Sequence, residues 1–262
     1  MTASGEPFAD LAAEGEALDE LVAALDEDQW DLPTPAPGWT VRHQIAHITS
    51  TARIAKTAAT APQSLPQGAV ADFDAALDAA LQPFLIQPPA TLLATWRAER
   101  EAATQALAAV PAGTLLPWLT RPMPPAVLAR AGIMELFAHG QDIADAIHAD
   151  REYTDRIRHV VSFAEGNRDF GYQVRGLTPP RQPFRLELSA PSGSLWTSGP
   201  VDAPDRITGP AVDFCLLVTR RRHRDDLALL ACGAADRWLD IAQAYRGAPG
   251  PGRVPGQFWR VA

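Results

Sequence analysis

Only two cysteines occur in the 262 residues, Cys215 and Cys232. Both stand in apolar stretches, Phe-Cys-Leu-Leu and Leu-Ala-Cys-Gly, in a chain with no sign of export. The expectation is therefore two buried structural thiols, not a disulfide framework and not an activated nucleophile. Basic residues are too few for a nucleic-acid binder, since 23 Lys and Arg stand against 31 Asp and Glu for a net charge of -8, and a phosphate backbone calls for a basic stripe. The local exception is the run Arg220, Arg221, Arg222, His223, Arg224. No apolar stretch approaches the roughly 20 residues of a membrane span. The opening Met-Thr-Ala-Ser-Gly-Glu has neither the basic lead nor the apolar run of a signal peptide. There is no internal repeat and no low-complexity segment. These absences point to a cytoplasmic globular protein without nucleic-acid or membrane partners.

What is present is 47% hydrophobic and 21% charged residues, with 24 prolines marking many rigid connections. From Pro7 to Leu25 the apolar residues Phe8, Leu11, Leu18, Leu21, Val22 and Leu25 recur at helical spacing. A proline-rich turn, Leu-Pro-Thr-Pro-Ala-Pro-Gly-Trp, then leads to Thr40, whose hydroxyl is placed to cap a helix from Val41 to about Ala61. Further helices are predicted over Ala71 to Leu85, Thr91 to Val110 and about Ala126 to Ala149. Beyond Asp150 the character changes. A helix from Tyr153 to about Phe170 precedes Phe184-Arg-Leu-Glu-Leu and Ser194-Leu-Trp-Thr-Ser-Gly, which read as a hairpin. Ile207 marks a third short strand, and helices over about Ala211 to Arg221 and Ala234 to Arg246 precede a Gly/Pro-rich tail from Ala248. The fold class is α+β, with a bundle of four main helices over residues 1–152 and a small α+β domain over 153–262.

Chemistry concentrates on the last bundle helix. Glu135 and His139 are four apart, about 400° of turn and 6 Å of rise, so both leave one face. That spacing suits two ligands of one metal, and also a surface hydrogen-bonded pair. His47 on the second helix is the natural third donor, although His43 and His47, themselves four apart, form a rival pair. His148 lies nine residues past His139, about 900° of turn, on the opposite face. Two histidines and a carboxylate leave an open coordination position, the pattern of a catalytic zinc site.

The segments Gly38-Trp-Thr-Val-Arg-His-Gln-Ile-Ala-His47 and Glu135-Leu-Phe-Ala-His139-Gly-Gln-Asp142 resemble the two signature stretches of the DinB-like metal-dependent bundles, in particular the mycothiol-dependent maleylpyruvate isomerase family of actinobacteria. The resemblance implies His47, Glu135 and His139 as metal ligands and leaves His43 without that role. The run from Ile207 through Leu216-Leu217-Val218 to His223 is similar to the family's carboxy-terminal module. There an arginine follows a glycine after the Leu-rich helix and serves the active site. The matching pair here is Arg220-Arg221, so Arg221 is the match and the glycine is missing. Asp142 either accepts the free ring N–H of His139 or is solvated. The basic run reads as a solvated helix end or as an anion-binding arginine. Trp39 reads as a core anchor at the helix entry.

The implied cofactors are a divalent metal, zinc by preference, and mycothiol as co-substrate, with a small electrophile as the other partner. A metal with an open position yields a thiolate near neutral pH. Arg221 would hold an acidic group of the substrate, and the outcome would be S-transfer or cis-trans isomerisation. A metal- and ligand-binding protein without catalysis, and a metal-dependent hydrolase with Asp142 as base, are the alternatives.

Overall fold

The computed structural model describes residues 7–65, 73–118, 121–245, 250 and 252–258. The expected helix start at Ala71 and part of the Gly/Pro-rich tail lie outside those residues. Among the described residues the chain begins with five helices, α1 Pro7–Ala23, α2 Val41–Thr60, α3 Phe73–Leu85, α4 Pro89–Ala109 and α5 Pro125–Ala146. Proline starts the two longest: Pro89 and Pro125 occupy the first helical position of α4 and α5, where a missing N–H costs nothing and φ is already helical. α2 is capped by Thr40, whose backbone N–H donates to His43 Nδ1 at 3.3 Å, closing a capping box. α5 ends in a left-handed turn at His148, φ 56°. There the Ala149 N–H returns to the Ala144 carbonyl at 2.9 Å.

The bundle core joins Leu18 and Val22 of α1, Ile45 and Ile48 of α2, Leu92 and Trp96 of α4, and Leu136 and Ile143 of α5. Each such side chain contributes roughly 1.5–3 kcal/mol by leaving water. From Ile133 to Ala144 every residue of α5 except Glu135 is buried. A helix enclosed in this way cannot turn its polar residues outward, so His139, Gln141 and Asp142 need partners inside the protein. Gly140 provides close approach: a Cβ there would lie 3.0 Å from Arg151 Nη2. That guanidinium bonds the Phe137 carbonyl at 2.5 Å and the Glu14 carboxylate at 2.7 Å, tying α1 to α5.

The chain divides into two compact units, one over Gly5–Arg151 and one beginning at Glu152. In the second, the expected helix from Tyr153 to Phe170 is instead a single 3-10 turn at Asp155–Ile157, α6 Arg158–Gly166 and α7 Phe170–Gln173. Strands β1 Arg185–Ser189 and β2 Leu195–Ser198 form the predicted antiparallel hairpin, pairing Leu186 with Ser198. β3 Arg206–Pro210 runs parallel to β1, α8 Ala211–Val218 follows it, and β4 Leu230–Cys232 pairs antiparallel with β3, giving the order β2-β1-β3-β4. α9 covers Gly233–Leu239.

The strand β4 was not foreseen, and it makes Cys232 an exposed edge residue where a buried thiol was expected; only Cys215 is buried. The last helix stops at Leu239, not near Arg246, because the backbone beyond it is engaged elsewhere: Ile241 O accepts from Arg175 at 3.2 Å and Ala244 N–H donates to Val218 O at 2.8 Å. α8 ends before the basic run, in a turn where Arg220 has φ 57°. Its N–H and that of Arg221 return to Leu217 O and Leu216 O, both at 2.8 Å.

Candidate metal centre

α2 and α5 pack against each other, and this contact brings together residues 88 positions apart in the chain. Glu135 Oε2 lies 3.3 Å from His47 Nε2 and 3.0 Å from His139 Nε2. One ligand atom from each of the three residues falls within 4.8 Å of the others, and the two imidazole centroids are 4.5 Å apart. His139 and Glu135 meet because i and i+4 share a helix face; His47 faces them from α2.

Burial pushes the Glu135 carboxyl up, but hydrogen bonds and charge from His139 and His47 outweigh it and hold the group below its ordinary value. Its oxygen is therefore an anion facing two ring nitrogens. Neutral imidazoles could satisfy it only by turning N–H groups toward it. His47 Nδ1, on the far side of its ring, has no hydrogen-bond partner among the described residues whichever nitrogen carries the proton. The set calls for a cation, either protons on the rings or one metal ion, and two imidazoles with one carboxylate are the donor chemistry of an open zinc site.

His43, the rival donor, is turned away into the helix cap, with Nδ1 2.9 Å from the Thr40 hydroxyl, and burial followed by the Arg42 charge lowers its pKa. His148 sits in the turn after α5. Asp142 is fully buried, which overturns the solvated reading. The outer position on His139 that was considered for it is held by Gln44, whose Oε1 lies 2.5 Å from Nδ1. Gln44 was missed by sequence reasoning. Its signal was weak, a polar residue one turn before His47 on an otherwise apolar helix face. Trp39 does more than anchor the helix entry: its ring lies 5.9 Å from that of His139 in a stacked arrangement, 5.3 Å from His47 and 6.3 Å from His43. Arg221, in the second unit, is half-buried and donates from Nη1 to the Thr219 carbonyl at 2.6 Å. Arg220 takes the left-handed conformation natural to the glycine expected before Arg221. Arg222 lies over the Phe258 ring and Arg224 pairs with Asp236 and Asp240, so the basic run is not simply a solvated helix end.

A family model described as the mycothiol maleylpyruvate isomerase N-terminal domain matches residues 11–144. The chain belongs to this family. The matched span carries His47, Glu135 and His139, and a second model, described as wyosine base formation, matches residues 180–232, the sheet and α8. Among the relatives of this family member are proteins of two strains of Mycobacterium tuberculosis, H37Rv and CDC 1551 / Oshkosh, each described as uncharacterised. Each is 45% identical over 257 residues, 97% of this chain and 100% of the relative. Crystal structures of the mycothiol-dependent maleylpyruvate isomerase and of a point mutant of it align with a TM-score of 0.62, at 14% and 13% identity, over 86% of this chain and 91% of theirs. At that identity the likeness is one of fold, and it is the α+β, DinB-like fold expected from the sequence. No helix among the described residues is long and apolar enough to cross a membrane.

Proposed function

We propose that His47, Glu135 and His139 hold one divalent metal ion, zinc by preference, and that the protein uses it with mycothiol to modify a small electrophile, as an S-transferase or a cis-trans isomerase. The observation that supports this reading is the convergence of three Lewis bases on one point, their ligand atoms within 4.8 Å of one another. When bound, the ion would act as a Lewis acid that lowers the pKa of a thiol entering its open position, so that thiolate exists near neutral pH. The bundle has no cysteine of its own. A thiol nucleophile would then come from a small molecule, which fits the mycothiol dependence named for the structurally similar isomerase.

The chain's own residues have distinct tasks in this reading. Glu135 supplies the fixed negative charge, since its lowered pKa keeps it ionised at neutral pH. His47 and His139 present their Nε2 atoms beside it. Trp39 covers the imidazoles on one side and excludes water from them. On the family resemblance alone, Arg221 is assigned to an acidic group of the substrate.

The test is the loss of free mycothiol when the zinc-loaded protein meets an activated aryl halide, for the wild type and for His139→Ala. Acceleration by the wild type, with His139→Ala at the uncatalysed rate and folded by circular dichroism, is expected. A wild type that accelerates nothing would remove the S-transferase reading, and a fully active His139→Ala would remove the metal site from the reaction. Thiol-independent hydrolysis lost in Asp142→Asn would instead make Asp142 a base.

A further inference from the structure

The hydrogen-bond chain behind His139 has a polarity fixed from its far end. The Trp39 carbonyl can only accept, and it takes the Thr34 N–H at 2.8 Å and the Thr34 hydroxyl at 2.9 Å. With its proton committed there, Thr34 Oγ1 must accept from Gln44, whose Nε2 lies 2.7 Å away. The amide of Gln44 is thereby oriented, and its Oε1 is the atom that faces His139 Nδ1 at 2.5 Å. An oxygen there requires a proton on Nδ1. In the neutral ring the lone pair must then sit on Nε2, the atom 3.0 Å from Glu135 Oε2. Gln44 is 0% exposed, so bulk water cannot substitute for either end of its amide.

We propose that Gln44 is a positioning residue: it locks His139 in the tautomer whose Nε2 faces the site, and it ties that ring through Thr34 to the loop carrying Trp39. The same relay thus sets the donor atom and the aromatic cover above it. Outer partners of liganding histidines fix ring orientation and tautomer, and losing one typically lowers metal affinity about 10- to 100-fold. Only the zinc arm of the test below rests on the function proposed above. The tautomer arm does not.

The tautomer is read by 15N NMR of the metal-free protein at a pH where the ring is neutral, with the His139 resonances assigned by comparison with His139→Ala. Zinc affinity is measured by competition with a chromophoric chelator. The wild type should show Nδ1–H at His139. Gln44→Leu should shift the ring toward the other tautomer and weaken zinc binding about 10- to 100-fold. Gln44→Glu, which keeps an accepting oxygen, should restore the tautomer and most of the affinity; a merely structural role would not predict that rescue. Thr34→Val, which releases the amide orientation, should give a smaller change in the same direction. An Nε2–H ring in the wild type, or Gln44→Leu with unchanged tautomer and affinity, would overturn the proposal. If Gln44→Leu does not fold, the wild-type tautomer and Gln44→Glu decide the matter. A wild type that binds no zinc would overturn the metal reading while leaving the tautomer result to decide the role of Gln44.

Discussion

Glu135 in the bundle and Glu187 in the second unit each share one carboxylate oxygen between two bases. Glu135 Oε2 faces His47 and His139 at 3.3 and 3.0 Å; Glu187 Oε1 faces Arg185 and Arg206 at 3.1 and 2.7 Å. In both, the partners lower the carboxyl pKa. The geometry is nearly the same, yet the chemistry differs because a guanidinium is always a cation and an imidazole near neutral pH is not. The arginine pair neutralises its carboxylate and leaves nothing to bind. The histidine pair leaves lone pairs aimed at an anion, an arrangement completed only by protons or by a metal. Glu165 adds the third case, a half-buried carboxylate whose partner is the Ser198 hydroxyl, and there burial dominates and the pKa rises.

The largest effect should separate the first two carboxylates. Glu135→Gln should weaken zinc binding by more than about 100-fold, beyond the loss of an outer partner, while Glu187→Gln should leave it unchanged; equilibrium dialysis against zinc reads both. If the two variants behave alike, the comparison is broken. Next in size is stabilisation by the ion. Zinc at 100 times its dissociation constant should add about 2.7 kcal/mol to the unfolding free energy of the bundle and nothing to His139→Ala, as followed by urea denaturation. Equal stabilisation of the two would place the bound zinc elsewhere.

The smallest effect concerns Glu165. A carboxyl whose folded pKa is raised by burial gives stability that is fully present below the unfolded pKa and is lost as pH rises through the raised value. The wild type should therefore lose stability across that window as the solution is made less acidic. Glu165→Gln should be flatter there, and coincident pH profiles would show that burial does not govern this group.

The helices of the bundle were legible because their cores repeat every three or four residues: Leu18 with Val22, Ile45 with Ile48, and Leu92 with Trp96 belong to one cluster. The site was legible for a related reason, since Glu135 and His139 share a face by spacing alone. Which second-helix histidine completes it was not decidable from spacing, because His43 and His47 also share a face. Only the fold shows His43 spent on the cap of Thr40. Gln44 and Thr34 were invisible because their roles depend on a loop folding back ten residues, where the bridge between Pro33 and Thr40 closes the turn. The second unit was read less well. β4 has three residues, too few for an alternating pattern, and α9 ends where tertiary bonds to Val218 and Arg175 claim the backbone.

Native mass spectrometry of the purified chain, with and without zinc, for the wild type and His139→Ala, tests the central claim most directly. One ion per wild-type chain that is absent from the variant is the predicted result. A wild type that stays metal-free at saturating zinc would contradict it, and would mean that the carboxylate of Glu135 is balanced by protonated imidazoles alone.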